Sequence, residues 1–203
     1  MDEIENFRAR VARNIRNIGA DADLLGMSNI WIRESIRHEY AQNFTWLGRP
    51  VIQVPQDQYA IQELIWACRP DLVIETGVAH GGSLILSASL LAMLDYCDAV
   101  AAGAVLDPKA SRRKVAGVDI DIRAHNRAAI EAHPLAHKIS LIQGSSVDEA
   151  VFAQVKALAQ GHERIMIFLD SNHTHDHVLA ELELYAPLTS KGSYCVVWDT
   201  GVE

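Results

Sequence analysis

The sequence is poor in cysteine and has no excess of basic residues. Only 3 cysteines occur among 203 residues. Cys68, Cys97 and Cys195 are far apart, odd in number and set among apolar residues, which predicts reduced, buried thiols and excludes a disulfide framework. The net charge of −8 argues against a general nucleic-acid or membrane surface. We therefore expect a cytoplasmic protein that binds neither nucleic acid nor membrane.

We expect neither a signal peptide nor a membrane-spanning segment. The acidic start Met1-Asp2-Glu3 is unlike a signal peptide. On this interpretation, no apolar run reaches the length needed to cross a bilayer. Hydrophobic residues nevertheless make up 49% of the chain, enough for a sizeable core. We predict a single domain over residues 1–203, with a helical N-terminal extension over 1–50 and an α/β core over 51–203.

Both common glycine-rich phosphate motifs are absent. The one glycine-rich stretch, residues 74–83, follows a short apolar run and precedes an apolar segment of helix length. Its Gly77-x-x-x-Gly81-Gly82 spacing matches neither the dinucleotide fingerprint nor the P-loop. A tight strand-to-helix turn is the structural alternative to a ligand loop. Glu75 favours a ligand loop, because a carboxylate at the strand end suits a cationic or hydroxyl-rich ligand and disfavours a pyrophosphate.

Apolar periodicity predicts where the helices and strands lie. Residues 1–44 have helical spacing, with a break over Asp21 through Gly26 and a second helix from about Ser28. Residues 45–55 are predicted to be irregular, and Asp57 is a candidate N-cap for the next helix. Continuously apolar strands then alternate with helices, which indicates a doubly wound, mainly parallel sheet covered on both faces. The predicted strands lie at about 72–74, 115–120, 139–142, 165–170 and 193–199.

Polar residues follow every predicted strand of this sheet. They are Glu75, Asp119, the pair Ser145 and Ser146, Asp170, and Asp199. The carboxyl ends of parallel strands are where such sheets bind ligands. Four acidic strand ends are difficult to explain by packing alone, since each carboxylate is costly to bury without a partner. We interpret the set as a ligand site in which Asp119 accepts hydrogen bonds from the two hydroxyls of a ribose.

The ordered motifs resemble a known family of enzymes. They are Trp46-Leu47-Gly48-Arg49-Pro50, Pro55-Gln56-Asp57, residues 69–77 with Gly81-Gly82-Ser83, Gly117-Val118-Asp119-Ile120-Asp121 with Arg123, Gly144-Ser145-Ser146, residues 169–173, and Trp198-Asp199-Thr200. Together they span roughly residues 46–203. This arrangement resembles class I S-adenosylmethionine-dependent methyltransferases, and more closely the family that groups cephalosporin hydroxylases with rhamnosyl O-methyltransferases.

The resemblance implies a cofactor and its contacts. Residues of the glycine-rich stretch would hold the amino acid part of S-adenosylmethionine, Asp119 the ribose, and Ser145 with Ser146 the adenine. The implied cofactor contacts are Glu75, Gly77, His80, Gly81, Gly82, Ser83, Asp119, Ser145, Ser146 and Asp170. Relatives in this family also continue past the fifth strand, so the C-terminal strands of the full sheet are expected to be missing here.

The resemblance also implies a magnesium ion, held by Asp170 and Asp199. Two neighbouring carboxylates would repel each other without a cation, and oxygen ligands suit Mg²⁺. Trp198 stands where relatives carry a further carboxylate. We predict Asp170 and His173 as catalytic residues, with His173 as the proton acceptor. The alternative for His173, His175 and His177 is a polar helix start. A zinc site built from these histidines is disfavoured.

The expected activity is O-methylation of a small hydroxylated molecule, such as a sugar or a secondary metabolite. Two alternatives stay open at this point. One is a biosynthetic protein of the cephalosporin-hydroxylase type, and the other is a non-catalytic subunit that binds an adenosyl ligand. A homo-oligomer is expected, because amphipathic helices precede the sheet and the sheet ends at an open edge.

Overall fold

The computed structural model describes residues 2–200, and the chain divides after Asn43 into two compact units. The first contains helix α1 (Glu3–Ala20), helix α2 (Ala22–Arg37) and a 3-10 turn (Tyr40–Asn43). The helical prediction is confirmed, but its boundary is wrong, because α2 begins at Ala22 and not near Ser28. Asp21 caps α2 by accepting a 3.0 Å hydrogen bond from the Leu24 amide. Gly26 lies inside α2, where a glycine weakens a helix without ending it.

The second unit opens with a short antiparallel hairpin that the sequence did not reveal. Strand β1 (Phe44–Trp46) pairs with β2 (Arg49–Val51). The two turn residues have positive φ, 45° at Leu47 and 87° at Gly48, as a tight hairpin turn requires. Three-residue strands are too short to display alternation, so the prediction of irregular structure over 45–55 is wrong here. Helix α3 (Pro55–Cys68) also begins before Asp57, with proline at its start.

A five-stranded parallel sheet forms the body of the second unit. Its strands are β3 (Leu72–Thr76), β4 (Lys114–Asp119), β5 (Ile139–Gln143), β6 (Ile165–Leu169) and β7 (Cys195–Val197). Their order across the sheet is β5-β4-β3-β6-β7, and every neighbouring pair is parallel. The predicted doubly wound α/β fold is therefore confirmed. The chain reverses direction across the sheet between β3 and β6, which makes their carboxyl ends the switch point.

Each face of the sheet carries its own apolar core. Helices α3, α4 (Gly82–Ala102) and α5 (Ala124–Glu131) cover one face, with Leu84 and Ile130 among the buried residues. Helices α6 (Glu149–Ala159) and α7 (His175–Tyr185) cover the other, where Val155 and Tyr185 are buried. All five residues of β3 are buried. This double cover explains why the strands are continuously apolar.

The length and apolar composition of helix α4 differ from what the sequence led us to expect. With 21 residues, it is long and apolar enough to cross a membrane by length and composition. The expectation that no apolar run reaches that length is therefore wrong. Eight α4 residues, including Leu84 and Leu91, are buried in the protein. A core helix of a folded domain passes the same length test, because contact with other elements selects the same apolar residues as lipid does.

The cysteines are free thiols, as predicted, but they are half-buried and not fully buried. Cys68 ends α3, Cys97 lies in α4, and Cys195 begins β7. Burial raises the pKa of the Cys68 and Cys195 thiols. Both therefore stay protonated and poorly reactive at neutral pH.

A network of ion pairs lies just before the strands begin, at the amino edge of the sheet. The ammonium of Lys138, which is 1% exposed, donates to Asp95 Oδ2 and to Ser111 Oγ. Arg113 donates to Asp95 Oδ1 at 2.7 Å and to Asp98 Oδ2 at 2.8 Å. These contacts fasten the long connection between α4 and β4 to the body of the domain.

Replacing Asp95 with Asn should destabilise the fold. The change leaves the buried Lys138 ammonium without its charge partner, and breaking a buried pair typically costs about 3 kcal/mol or more. Asp98 is half exposed at 50%, so Asp98→Asn is the matched control and should cost less than about 1 kcal/mol. Urea denaturation of both variants checks this expectation. Equal losses of unfolding free energy would show that burial of the Lys138 pair does not matter.

Candidate active site

The glycine loop lies at the carboxyl end of the central strand, packed too tightly for side chains. Gly77 follows β3 with φ of 85°, and a Cβ there would come within 1.9 Å of the Asp170 carbonyl oxygen. A Cβ at Gly82 would come within 2.1 Å of the Pro50 carbonyl oxygen. Gly81 precedes α4, whose first backbone N–H groups have no partners within the helix. The loop can therefore bring backbone donors close to a ligand.

Two side chains that the sequence analysis missed hold this loop in place. Arg49 donates to the His80 carbonyl oxygen from Nη2 at 2.6 Å and from Nε at 3.0 Å. Asn126, which is buried, donates to the Ala79 carbonyl oxygen at 2.9 Å and accepts from Arg49 at 3.1 Å. Arg49 belongs to one of the family motifs, but the contact of its side chain with the loop depends on the hairpin. For Asn126, no pattern in the sequence marked its role.

Glu75 is a buried carboxylate with one oxygen unsatisfied. Its exposure is 1%, and Oε1 accepts a hydrogen bond from the Ser83 hydroxyl. Among residues 2–200, no group donates a hydrogen bond to Oε2. The pKa of Glu75 is raised to about 8, mainly by burial; the Ser83 hydrogen bond lowers the pKa and the charge of Asp170 raises it. A cationic ligand would supply the missing partner.

Asp119 lies beside the same loop, at the end of β4. Its Oδ2 accepts hydrogen bonds from the amides of Val78 at 2.7 Å and Ala79 at 3.3 Å. Its Oδ1 accepts from the amide of Asp121 at 2.9 Å. A carboxylate offers about four acceptor positions, so Asp119 keeps capacity for ligand hydroxyls. These contacts orient Asp119 before a ligand binds.

The two serines after β5 differ in their surroundings. Ser145 is half-buried, whereas Ser146 is 4% exposed and its hydroxyl lies 3.1 Å from His177 Nε2. The same nitrogen lies 3.1 Å from the Ser171 hydroxyl and 3.5 Å from Glu181 Oε1. His177 thus links the loop after β5 to the loop after β6. These contacts give His177 a structural role.

Asp170, His173 and Asp199 come together after β6 and β7. One ligand atom from each lies within 4.8 Å of those of the other two, and His173 Nε2 is 3.1 Å from Asp199 Oδ2. Burial and, to a smaller extent, the charge of Asp199 raise the pKa of Asp170 to about 7. His175 pairs with Asp176 at the surface, so the three histidines of this segment point to different partners.

Two further residues border this cluster and were not predicted to belong to the site. Gln53 is 7% exposed, and its side chain lowers the pKa of Asp170. Its Oε1 accepts no hydrogen bond from the part of the chain described. Burial raises the pKa of the Asp57 carboxyl, and the charge of Asp199 raises it further. Both residues come from the segment that follows the hairpin, so tertiary structure alone brings them here.

Two cavities adjoin these groups. A cavity of about 40 Å³ is lined by residues 50–53 and 77–83 and by Asp170. It joins the glycine loop to the carboxylate cluster. A larger cavity of about 280 Å³ lies beyond His173 and Asp199, and its walls include Leu179 and Trp198. Asp170 therefore borders the small cavity, whereas His173 and Asp199 border the larger, mostly apolar one.

Comparison with known proteins identifies the family of this chain. Residues 38–203 match the family model for rhamnosyl O-methyltransferase/CmcI. The chain belongs to this family. The family resemblance inferred from the strand-end motifs is thus confirmed.

The curated relatives that match this chain include mycobacterial proteins. A rhamnosyl O-methyltransferase from Mycobacterium bovis is 28% identical over 163 residues, which cover 78% of this chain and 57% of the relative. One from Mycobacterium leprae is 29% identical over 177 residues, covering 84% and 69%. The chain thus spans little more than half the length of the first of these relatives.

Solved structures of similar fold include several methyltransferases. A CmcI structure described with Mg and SAM aligns with a TM-score of 0.53 at 19% identity, covering 78% of this chain and 58% of CmcI. The mycinamycin-pathway methyltransferase MycE, in complex with Mg, SAH and mycinamycin VI, aligns at 0.50 and 21%, covering 82% and 36%. A Staphylococcus aureus protein described as a caffeoyl-CoA O-methyltransferase aligns at 0.53 and 13%, covering 95% and 73%. These likenesses support the fold.

Replacing Glu75 with Gln should stabilise the ligand-free chain as pH rises. The folded chain holds the Glu75 proton up to about pH 8, whereas an unfolded chain releases it near the ordinary pKa of 4.5. Stability therefore declines through this window in the natural chain, and glutamine abolishes that decline. The variant should gain about 1–3 kcal/mol at the alkaline end, the typical cost of an unsatisfied buried group.

Urea denaturation at about pH 5 and about pH 9 measures this difference. The exposed carboxylate Glu63 supplies the control. Glu63→Gln should leave the pH dependence of the unfolding free energy unchanged. An unchanged pH dependence in Glu75→Gln would contradict the assignment of a neutral, buried Glu75.

Proposed function

We propose that this chain binds S-adenosylmethionine and methylates a hydroxyl of a small molecule, with a sugar as the expected acceptor. The main support is buried Glu75, whose Oε1 accepts a hydrogen bond from Ser83 of the glycine loop and whose Oε2 has no partner among the described residues. That combination suits a ligand with a cationic end. Family membership and the names of the mycobacterial relatives agree with it.

The groups present fit S-adenosylmethionine. Glu75 would bind the ammonium group of the amino acid part, and the first N–H groups of α4 would bind its carboxylate. Asp119 would accept hydrogen bonds from the ribose, with Ser145 and Ser146 near the adenine. When bound, the cofactor supplies an electrophilic methyl group. Arg49 and Asn126 hold the loop carbonyls, so the loop is organised in advance.

The cluster after β6 and β7 fits a divalent cation. Asp170 and Asp199 would hold it, as predicted for Mg²⁺, and Mg is named in the CmcI and MycE structures. A cation here would lower the pKa of a substrate hydroxyl. Trp198 supplies no ligand, and His173 Nε2 lies 3.1 Å from Asp199 Oδ2. The assignment of His173 as proton acceptor stays a prediction from the sequence.

Calorimetry with S-adenosylmethionine tests the proposed function. Asp119→Ala should weaken binding by about 1–3 kcal/mol, the cost of losing hydrogen bonds to a charged group. Asp121→Ala is the matched control, because that side chain is 71% exposed and lies only two residues away. Tight binding of NAD without any heat from S-adenosylmethionine or S-adenosylhomocysteine would overturn the proposal.

We also propose that the chain forms a homo-oligomer through α1 and α2. Both helices carry large apolar side chains at the surface, among them Phe7 at 55% and Ile15 at 64% exposure. A second copy could cover such a stripe at little entropic cost, because the helices are already formed.

Light scattering coupled to gel filtration checks the association. Ile15→Asp should shift the chain towards monomer, whereas Asn14→Asp adds the same charge beside the stripe and should not. A natural chain that remains monomeric at micromolar concentration would contradict the proposal.

A further inference from the structure

We propose that His173 is the third protein ligand of the cation at Asp170 and Asp199, which makes the site select a first-row transition cation over Mg²⁺. This inference rests on the proposed function and concerns the same cluster. It changes the ligand set from oxygen alone to one nitrogen and two carboxylates. In that state the imidazole holds the cation instead of accepting the hydroxyl proton.

The geometry of the cluster supports three ligands. A cation with ligand distances near 2.1 Å holds adjacent ligands about 3 Å apart. His173 Nε2 and Asp199 Oδ2 are already 3.1 Å apart, and all three ligand atoms lie within 4.8 Å of one another. The imidazole therefore needs no large movement to enter the coordination sphere.

The three ligands also come from well-anchored backbone. Asp170 follows β6, and its amide donates to the Thr76 carbonyl oxygen at 3.0 Å. Asp199 follows β7, where the amide of Trp198 donates to the Leu169 carbonyl oxygen at 3.0 Å. His173 lies in the short turn between β6 and α7. Parallel pairing of β6 with β7 thus holds the two carboxylates side by side.

A buried amide beside the cluster is a separate sign that a ligand belongs here. Gln53 lines the small cavity together with Asp170. Its side chain is 7% exposed, and nothing in the described chain donates to its Oε1. Leaving a buried polar atom unpaired is costly, and an amide oxygen is a good ligand or water acceptor at a cation site.

The chemistry of the ligands decides which cation is preferred. Mg²⁺ favours oxygen ligands, whereas imidazole is a good ligand for first-row transition cations, more so for the later ones such as Fe²⁺ and Ni²⁺ than for Mn²⁺. Affinity for a site containing nitrogen rises from Mn²⁺ to Co²⁺ in the usual order for divalent ions. Because Trp198 contributes no carboxylate, the imidazole makes up a larger part of this site.

Cation binding can be measured without any turnover. Calorimetry with MnCl₂, CoCl₂ and MgCl₂ should give an affinity for Mn²⁺ at least about tenfold above that for Mg²⁺, with Co²⁺ tighter still. Electron spin-echo spectra of the Mn²⁺-loaded protein should show coupling to an imidazole nitrogen. Equal affinities for Mn²⁺ and Mg²⁺, or spectra without that coupling, would overturn the proposal.

Variants of neighbouring residues assign the nitrogen. His173→Ala should abolish both the nitrogen coupling and the preference for Mn²⁺. His173→Asp should keep cation binding but move the preference towards Mg²⁺, because it restores an all-oxygen site. His175→Ala is the control, since His175 is 86% exposed and pairs with Asp176 only among the described contacts. A loss of coupling in His175→Ala, with coupling retained in His173→Ala, would overturn the assignment.

Failure of this inference is distinct from failure of the proposed function. S-adenosylmethionine binding is measured on the same samples without added cation. If the cofactor binds while Mn²⁺ shows no nitrogen coupling, only the role of His173 as a ligand is rejected. In that case His173 remains the predicted proton acceptor.

Discussion

The close contact between the backbones at Gly77 and Asp170 is the constraint on which the site depends. It occurs where β3 and β6 end side by side, at the switch point of the sheet. A Cβ at Gly77 would overlap the Asp170 carbonyl oxygen at 1.9 Å. No side chain fits between the two strand ends, and the glycine loop and Asp170 border one cavity. This is the place where sheets of this kind bind their ligands.

Buried carboxyl groups without basic partners distinguish this end of the sheet. Burial raises the pKa of Glu75 and of Asp170. The charge of Asp170 raises the pKa of Glu75 further, and the charge of Asp199 does the same for Asp170. At the amino edge, by contrast, Lys138 and Arg113 neutralise Asp95, whose pKa is lowered. The carboxylates of the amino edge are thus paired within the protein, whereas the carboxyl groups of the other edge can pair with a cationic ligand. That asymmetry is typical of a binding site on a stable scaffold.

The glycine loop is held in position by residues outside the βα unit that contains it. Arg49 belongs to the hairpin before the sheet, and Asn126 to α5, yet both bind carbonyl oxygens of the loop. Gly82 likewise packs against Pro50 of the hairpin. The hairpin therefore forms one wall of the small cavity and holds the loop in a single conformation. Such support reduces the conformational entropy that ligand binding would otherwise cost.

Local sequence determined the fold class and the position of each acidic strand end, because continuous apolar strands and the residues that follow them are read directly along the chain. It did not reveal the hairpin, the early start of α2, or the membrane-span length of α4. Tertiary structure alone decided that Gln53 and Asp57 border Asp170, that Ser146 faces His177, and that His173 lies against Asp199. These contacts join residues from separate elements, and their geometry depends on strand order and helix packing, which no local pattern encodes.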